Sequence, residues 1–70
     1  MNIDPEGLVK IKECDLITDQ VFLFRGPLGN YCVVMREGER VKGIRCVGVQ
    51  DASYIFNACV DKLIERMYIN

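Results

Sequence analysis

The chain has 70 residues, 50% of them hydrophobic, and a formal net charge of −1 at pH 7. Half apolar content with almost no net charge excludes a disordered chain, and the length allows one domain, residues 1–70. A core of this size seldom leaves more than about 3 to 5 kcal/mol of net stability unless a cross-link or a partner adds to it.

Four cysteines are candidates for such a cross-link: Cys14, Cys32, Cys46 and Cys59. The N-terminal residues show no secretory signal, so we expect a cytoplasmic chain whose thiols pack as small hydrophobic groups rather than as a disulfide. The cysteines are widely spaced and the chain has no histidine, which argues against a zinc site. No apolar run is long enough to span a bilayer, so we expect no membrane partner.

The first 20 residues contain one weak strand signal. Residues 8–14 alternate loosely, with Val9 and Ile11 on one side and Lys10 and Lys12 on the other. This alternation predicts an additional strand at the edge of a sheet.

Residues 21–49 predict an antiparallel meander. Three runs rich in β-branched and aromatic residues, 21–25, 31–36 and 41–49, are separated by turn residues such as Pro27 and Gly38. We expect Gly38 to supply a left-handed turn residue, and Gly43 and Gly48 to mark bulges in the third run.

The C-terminal segment, residues 51–67, predicts an amphipathic helix. Its apolar residues recur at helical spacing and are Ala52, Ile55, Phe56, Cys59, Val60, Leu63, Ile64 and Met67. Asp51 precedes the first of them and is the expected N-cap of a helix over 52–67. The predicted fold is α+β, a meander of three or four strands with this helix on one face.

The predicted strands are apolar on both sides, whereas one helix covers only one face. We therefore expect a second apolar surface, which the first 20 residues, a second copy of the chain or another protein covers. The candidate interface residues are Phe22, Phe24, Tyr31, Val33 and Met35.

Charge is unevenly distributed along the chain. Residues 21–49 hold two acidic and five basic residues, the latter being Arg25, Arg36, Arg40, Lys42 and Arg45. These five form a candidate basic surface, and a sheet-type nucleic-acid-binding domain is the alternative function. The balanced overall charge favours a solvated hairpin instead.

Catalytic chemistry has few residues to draw on. The chain has no histidine, one serine (Ser53) and one threonine (Thr18), so it lacks the partners of a Ser-His or Cys-His pair. Gly26 and Gly29 do not make a phosphate-binding loop, because no lysine or serine follows at the required spacing. We expect a non-catalytic protein-protein interaction module without a cofactor, acting as a small regulatory, inhibitor or assembly protein, a class that phages and mobile elements also use.

Overall fold

The computed structural model describes the backbone of residues 7–69 and the side chains of residues 7–66. Four antiparallel strands form one sheet in chain order: β1 Val9–Leu16, β2 Asp19–Arg25, β3 Tyr31–Glu37 and β4 Arg40–Cys46. One helix, α1 Val49–Ile69, packs against the sheet. This arrangement confirms the predicted α+β meander with a C-terminal helix. Residues 1–6 and the side chain of Met67 lie outside the described part of the chain.

The hydrophobic core lies between the helix and one face of the sheet. Alternate residues of β2 and β3 point toward the helix, because successive side chains of a strand alternate between faces. The buried residues are Val21, Leu23, Val33, Met35 and Cys46 from the sheet, and Ala52, Phe56, Cys59 and Leu63 from the helix. Near the C-terminal end of the helix, the Arg66 guanidinium donates to the carboxylate of Glu37 on β3.

The tight turns explain two of the glycines. Gly38, between β3 and β4, has φ 62°, the left-handed conformation that the sequence predicted for it. Gly26 begins the connection between β2 and β3, where its N-H donates to the Asn30 carbonyl at 2.7 Å. A Cβ at residue 26 would lie 2.3 Å from the Asn30 side-chain oxygen, so a larger residue there would require the Asn30 side chain to move.

The helix begins earlier than the sequence predicted. β4 ends at Cys46, opposite Tyr31, so the third run does not continue as a strand to residue 49. The Ala52 N-H donates to the Gly48 carbonyl at 2.9 Å, which places Gly48 just before the helix. Asp51 is therefore not the N-cap; it lies in the first turn, where its charge complements the positive end of the helix dipole.

The predicted bulges at Gly43 and Gly48 were also wrong. Gly43 pairs with Val34 in a continuous register, and Gly48 lies outside the strand. The irregularity is instead in β1, where the register with β2 shifts between Lys10 and Lys12. Gly43 is tolerated in a regular strand because its missing side chain leaves no void in the core, which lies on the other face of the sheet.

Candidate functional site: the open face of the sheet

The sheet face opposite the helix has an apolar centre. This centre consists of Phe22 and Phe24 on β2 and of Cys32 and Val34 on β3. We call the whole sheet face opposite the helix the open face. Phe22 lies opposite Val34 and Phe24 opposite Cys32 on the neighbouring strands. The two phenylalanine ring centroids are 6.0 Å apart, within the range of favourable aromatic contact.

The open face is separate from the core. The described core cluster contains neither Phe22 nor Phe24, and the half-buried hydrophobic residues that pack against that cluster all come from the helix or the helix side of the sheet. The four side chains of this apolar centre are half-buried. The apolar centre is therefore partly solvated and is not covered by the helix.

On β4, the open face is exposed and one of its positions has no side chain. Gly43 lies opposite Val34 and presents no side chain, while Val41 on the same strand is 67% exposed. A Cβ added at residue 43 would meet only the Cys32 Sγ, at 3.9 Å, so the space above the glycine is open. An approaching surface can therefore reach Val34 and Cys32 from this side.

Charged residues border the apolar centre unequally. Glu13 and Asp15 on β1 occupy the register positions beside Phe22 and Gln20, on one margin. Lys10 is held within that margin, because its Nζ lies 2.6 Å from a Glu13 carboxylate oxygen and 5.6 Å from the centroid of the Phe22 ring.

The opposite margin is basic. Arg45 on β4 pairs with Cys32, and Arg36 on β3 pairs with Gln20, so both lie on the open face. Arg36 is fixed within the chain, since its Nε donates to the Gly38 carbonyl at 3.0 Å and one of its terminal nitrogens donates to the Gln20 side chain at 3.2 Å. The open face thus carries one lysine and two carboxylates at β1, and two arginines at β3 and β4.

The structure does not bring the five predicted basic residues together. Arg36 and Arg45 lie on the open face, whereas Arg40 and Lys42 pair with Glu37 and Met35 on the helix side. Arg25, at the end of β2, pairs with Tyr31 and is also on the helix side.

The predicted apolar interface is likewise divided between the two faces. Phe22 and Phe24 belong to the open face, but Val33 is fully buried and Met35 is 6% exposed beneath the helix. Tyr31 packs against the same core. The antiparallel register explains this division, because it pairs Val33 with the buried Leu23. Tyr31 and Met35 alternate with Val33 along β3 and therefore point to the same side, toward the core. Cys32 and Val34 were not among the residues predicted for the interface. Their alternation with Val33 indicates that they lie on the open face, but only once Val33 is known to face the helix.

A cleft adjoins the open face at the end of the sheet near the β2–β3 turn. It has a volume of about 510 Å³, and its lining includes Pro27, Leu28, Tyr31, Cys32 and Arg45. Leu28 is 91% exposed at its rim. Since Cys32 and Arg45 belong to both, the cleft extends the open face toward the turn.

The four thiols are free, and two of them belong to the core. Cys46 and Cys59 are buried as the sequence predicted, whereas Cys14 and Cys32 are half-buried. Burial raises the pKa of the Cys46 thiol, and the nearby Asp51 carboxylate adds to that rise. Burial also raises the pKa of the Cys59 thiol, against the opposing effect of the Lys42 and Lys62 ammonium groups.

Comparison with protein-family models, with curated proteins and with solved structures found no match for this chain. Within the described residues, the single helix lacks the long apolar stretch that crossing a bilayer requires.

Proposed function

We propose that this chain is a non-catalytic protein-protein interaction module that binds through the open face. The observation that carries the proposal is the pair Phe22 and Phe24, which lie outside the core on a surface of the sheet that the helix does not cover. Fully burying one exposed phenylalanine contributes about 1.5 to 3 kcal/mol of free energy. Because Phe22 and Phe24 are only half-buried in the folded chain, part of that free energy is still available when a partner covers them. A partner that covers both rings therefore acquires a central apolar contact with a charged border.

The distribution of the basic residues also supports protein binding over nucleic-acid binding. A sheet that reads nucleic acid presents its cations on one surface, so that several phosphates are contacted together. Here the five basic residues of the meander are divided between two faces, and Arg36 is engaged with Gln20 and Gly38. An interaction module with no chemistry of its own fits a small regulatory, inhibitor or assembly protein.

The test compares Phe24→Asp with Tyr54→Asp by thermal unfolding. Tyr54 is an exposed aromatic residue on the helix, 74% accessible, so it is a matched control for placing a carboxylate on the surface. Because Phe24 is not among the described residues of the core cluster, Phe24→Asp should lower the unfolding midpoint through the loss of its contact with Phe22, more than Tyr54→Asp but clearly less than the core truncation Leu63→Ala. The proposal is overturned if Phe24→Asp destabilises the chain as much as the core truncation Leu63→Ala, since the open face would then be part of the folding core.

A further inference from the structure

We infer that the free edge of β4 is a binding site for an acidic polypeptide segment, which adds to the four-stranded sheet as a further strand. This surface is separate from the open face and independent of the proposed function. Three cationic side chains near this edge have no carboxylate partner within the described chain. They are Arg40 and Lys42 on β4 and Lys62 on α1.

β4 is the edge of the sheet at which another strand can pair. Among the described strands it pairs with β3 alone, in a continuous register of seven residues, and it contains no proline. Every second residue of such a strand turns its N-H and C=O groups away from the sheet, where another extended chain can bind them. The opposite edge is less regular, because the register of β1 shifts between Lys10 and Lys12.

The three cations surround a cleft on the helix side of this edge, where β3, β4 and α1 meet. The cleft has a volume of about 390 Å³, and its lining includes Arg40, Lys42 and Lys62. Arg40 and Lys42 are two residues apart on β4 and pair with helix-side residues of β3, so both point toward the same side. The ammonium groups of Lys42 and Lys62 both oppose the rise in the pKa of the buried Cys59 thiol, so both lie near it.

The carboxylates of the neighbouring strand and turn residues do not neutralise this cleft. Glu37, which also lines it, accepts from the Arg66 guanidinium. Asp19, which pairs with Glu37 across β2 and β3, accepts from the Gly38 N-H at 3.2 Å. Glu39 in the β3–β4 turn lines a different cleft, on the open-face side. The edge therefore keeps a surplus of positive charge that carboxylates from another chain can complement.

The geometry of a β-strand defines the sequence pattern of the bound segment. Side chains of an added strand that point to one face are ~6.8 Å apart, twice the rise per residue. Acidic residues at every second position therefore lie opposite Arg40 and Lys42, beside the cleft that Lys62 lines, and opposite charges on adjacent strands attract. The intervening residues lie beside Gly43 and Val41, which is 67% exposed, so apolar side chains fit there.

A second copy of the chain does not match this pattern. β4 has three cations and no carboxylate in its seven residues, so two β4 edges repel each other. The β1 edge has Glu13 and Asp15, but both lie on the open face, on the opposite side from Arg40 and Lys42. A nucleic acid offers phosphates to the cations but has no peptide backbone to continue the sheet, so an acidic polypeptide uses more of this surface.

The experiment measures peptide binding to the full chain at physiological salt by fluorescence anisotropy. The probe is a short labelled peptide with blocked ends in which glutamate and valine alternate. We expect saturable binding to the natural chain, and a loss of affinity of at least about tenfold in Lys42→Glu and in Lys62→Glu, because each replaces an attraction by a repulsion. Lys10→Glu is the matched control at the other edge and should bind as the natural chain does. Circular dichroism checks that each variant is folded.

Two further probes distinguish strand addition from the attraction of any anion. The same peptide with a methyl group on every backbone nitrogen keeps the charge but cannot donate to β4, and a single-stranded oligonucleotide offers phosphates alone. Affinity for either probe equal to that for the alternating peptide would overturn the inference. It would also be overturned if the natural chain did not bind the alternating peptide, or if Lys42→Glu and Lys62→Glu bound it equally well. Phe24→Asp should bind it as the natural chain does, so this test is separate from that of the proposed function.

Discussion

Lys10 and Lys12 lie on opposite faces of the sheet, although they are two residues apart in one strand. The Lys10 Nζ lies 5.6 Å from the ring centroid of Phe22 on the open face, and the Lys12 Nζ lies 5.4 Å from the ring centroid of Phe56 in the core. The register shift between the two lysines causes this reversal, because one extra residue changes which face the following side chains occupy. The bulge thus gives β1 one cation for each face.

Lys12→Ala should weaken the fold through the loss of its contact with Phe56. A cation above an aromatic ring at an exposed site contributes about 0.5 to 1 kcal/mol, so the free energy of unfolding should fall by about that amount. Urea denaturation measures the loss, and a double-mutant cycle with Phe56→Leu isolates the pair. Additive losses in the cycle would contradict a direct interaction between the two side chains.

Replacing helix side chains by alanine should destabilise the chain strongly only on the side of the helix that faces the sheet. Leu63 is fully buried, and Leu63→Ala should cost about 2 to 5 kcal/mol, most of the stability of a domain this small. The neighbouring Ile64 is half-buried, so Ile64→Ala should cost clearly less. Circular dichroism during chemical denaturation ranks the two variants. An equal or larger loss for Ile64→Ala would contradict the orientation in which the helix turns Leu63 toward the sheet.

The sequence predicts the strands and the helix because their patterns are local. The spacing of Phe56, Cys59 and Leu63 depends only on the helical repeat, and Gly38 marks its turn by residue type alone. The bulge near Ile11 has no such signal, because it is set by the pairing of β1 with β2. The start of the helix at Val49 depends on where β4 stops pairing with β3, which is also a non-local property.

The open face could be predicted as a surplus of apolar residues but not as a defined surface. Phe22 and Leu23 are equally apolar, and only packing against the helix decides which of them is buried. The candidate set therefore combined Phe22 with Val33, which lie on opposite faces. The charges at the two margins were hidden for the same reason, since Glu13 and Arg45 are far apart in sequence and share one face only through the sheet.

Ile17→Asn should stabilise the chain. Ile17 lies in the turn between β1 and β2 with φ 66°, and its side chain is 86% exposed. A β-branched residue in this conformation costs about 1 to 2 kcal/mol, whereas asparagine adopts it readily. A gain of about 1 kcal/mol should raise the unfolding midpoint by about 4 to 8 °C.

Leu28→Asn is the control for that substitution, because Leu28 is 91% exposed in a turn and its φ is not in the left-handed region. It should leave the midpoint nearly unchanged. The explanation by backbone conformation would be wrong if both asparagine variants shifted the midpoint equally.

The buried thiols should make the fold sensitive to alkali. The pKa of Cys46 and the pKa of Cys59 are both raised above 9.0 in the folded chain, mainly by burial. The unfolded chain therefore releases these protons first, so the contribution to stability is complete below pH 9.0 and is lost as the pH rises through the raised pKa values. Denaturation from about pH 8 to about pH 10 measures the decline.

The double variant Cys46→Ala, Cys59→Ala is the comparison for the pH series. It should be less stable at neutral pH because alanine leaves a small void in the core, but its stability should decline less steeply above pH 9.0. Parallel declines in the two proteins would assign the alkaline sensitivity to groups other than these thiols.

The central claim, that the open face is a contact surface outside the folding core, is tested most directly by the thermal unfolding of Phe24→Asp beside Tyr54→Asp and Leu63→Ala. We expect the midpoint of Phe24→Asp to lie closer to that of Tyr54→Asp than to that of Leu63→Ala, because Phe24 does not belong to the described core cluster. A Phe24→Asp chain that is as unstable as Leu63→Ala would contradict the claim.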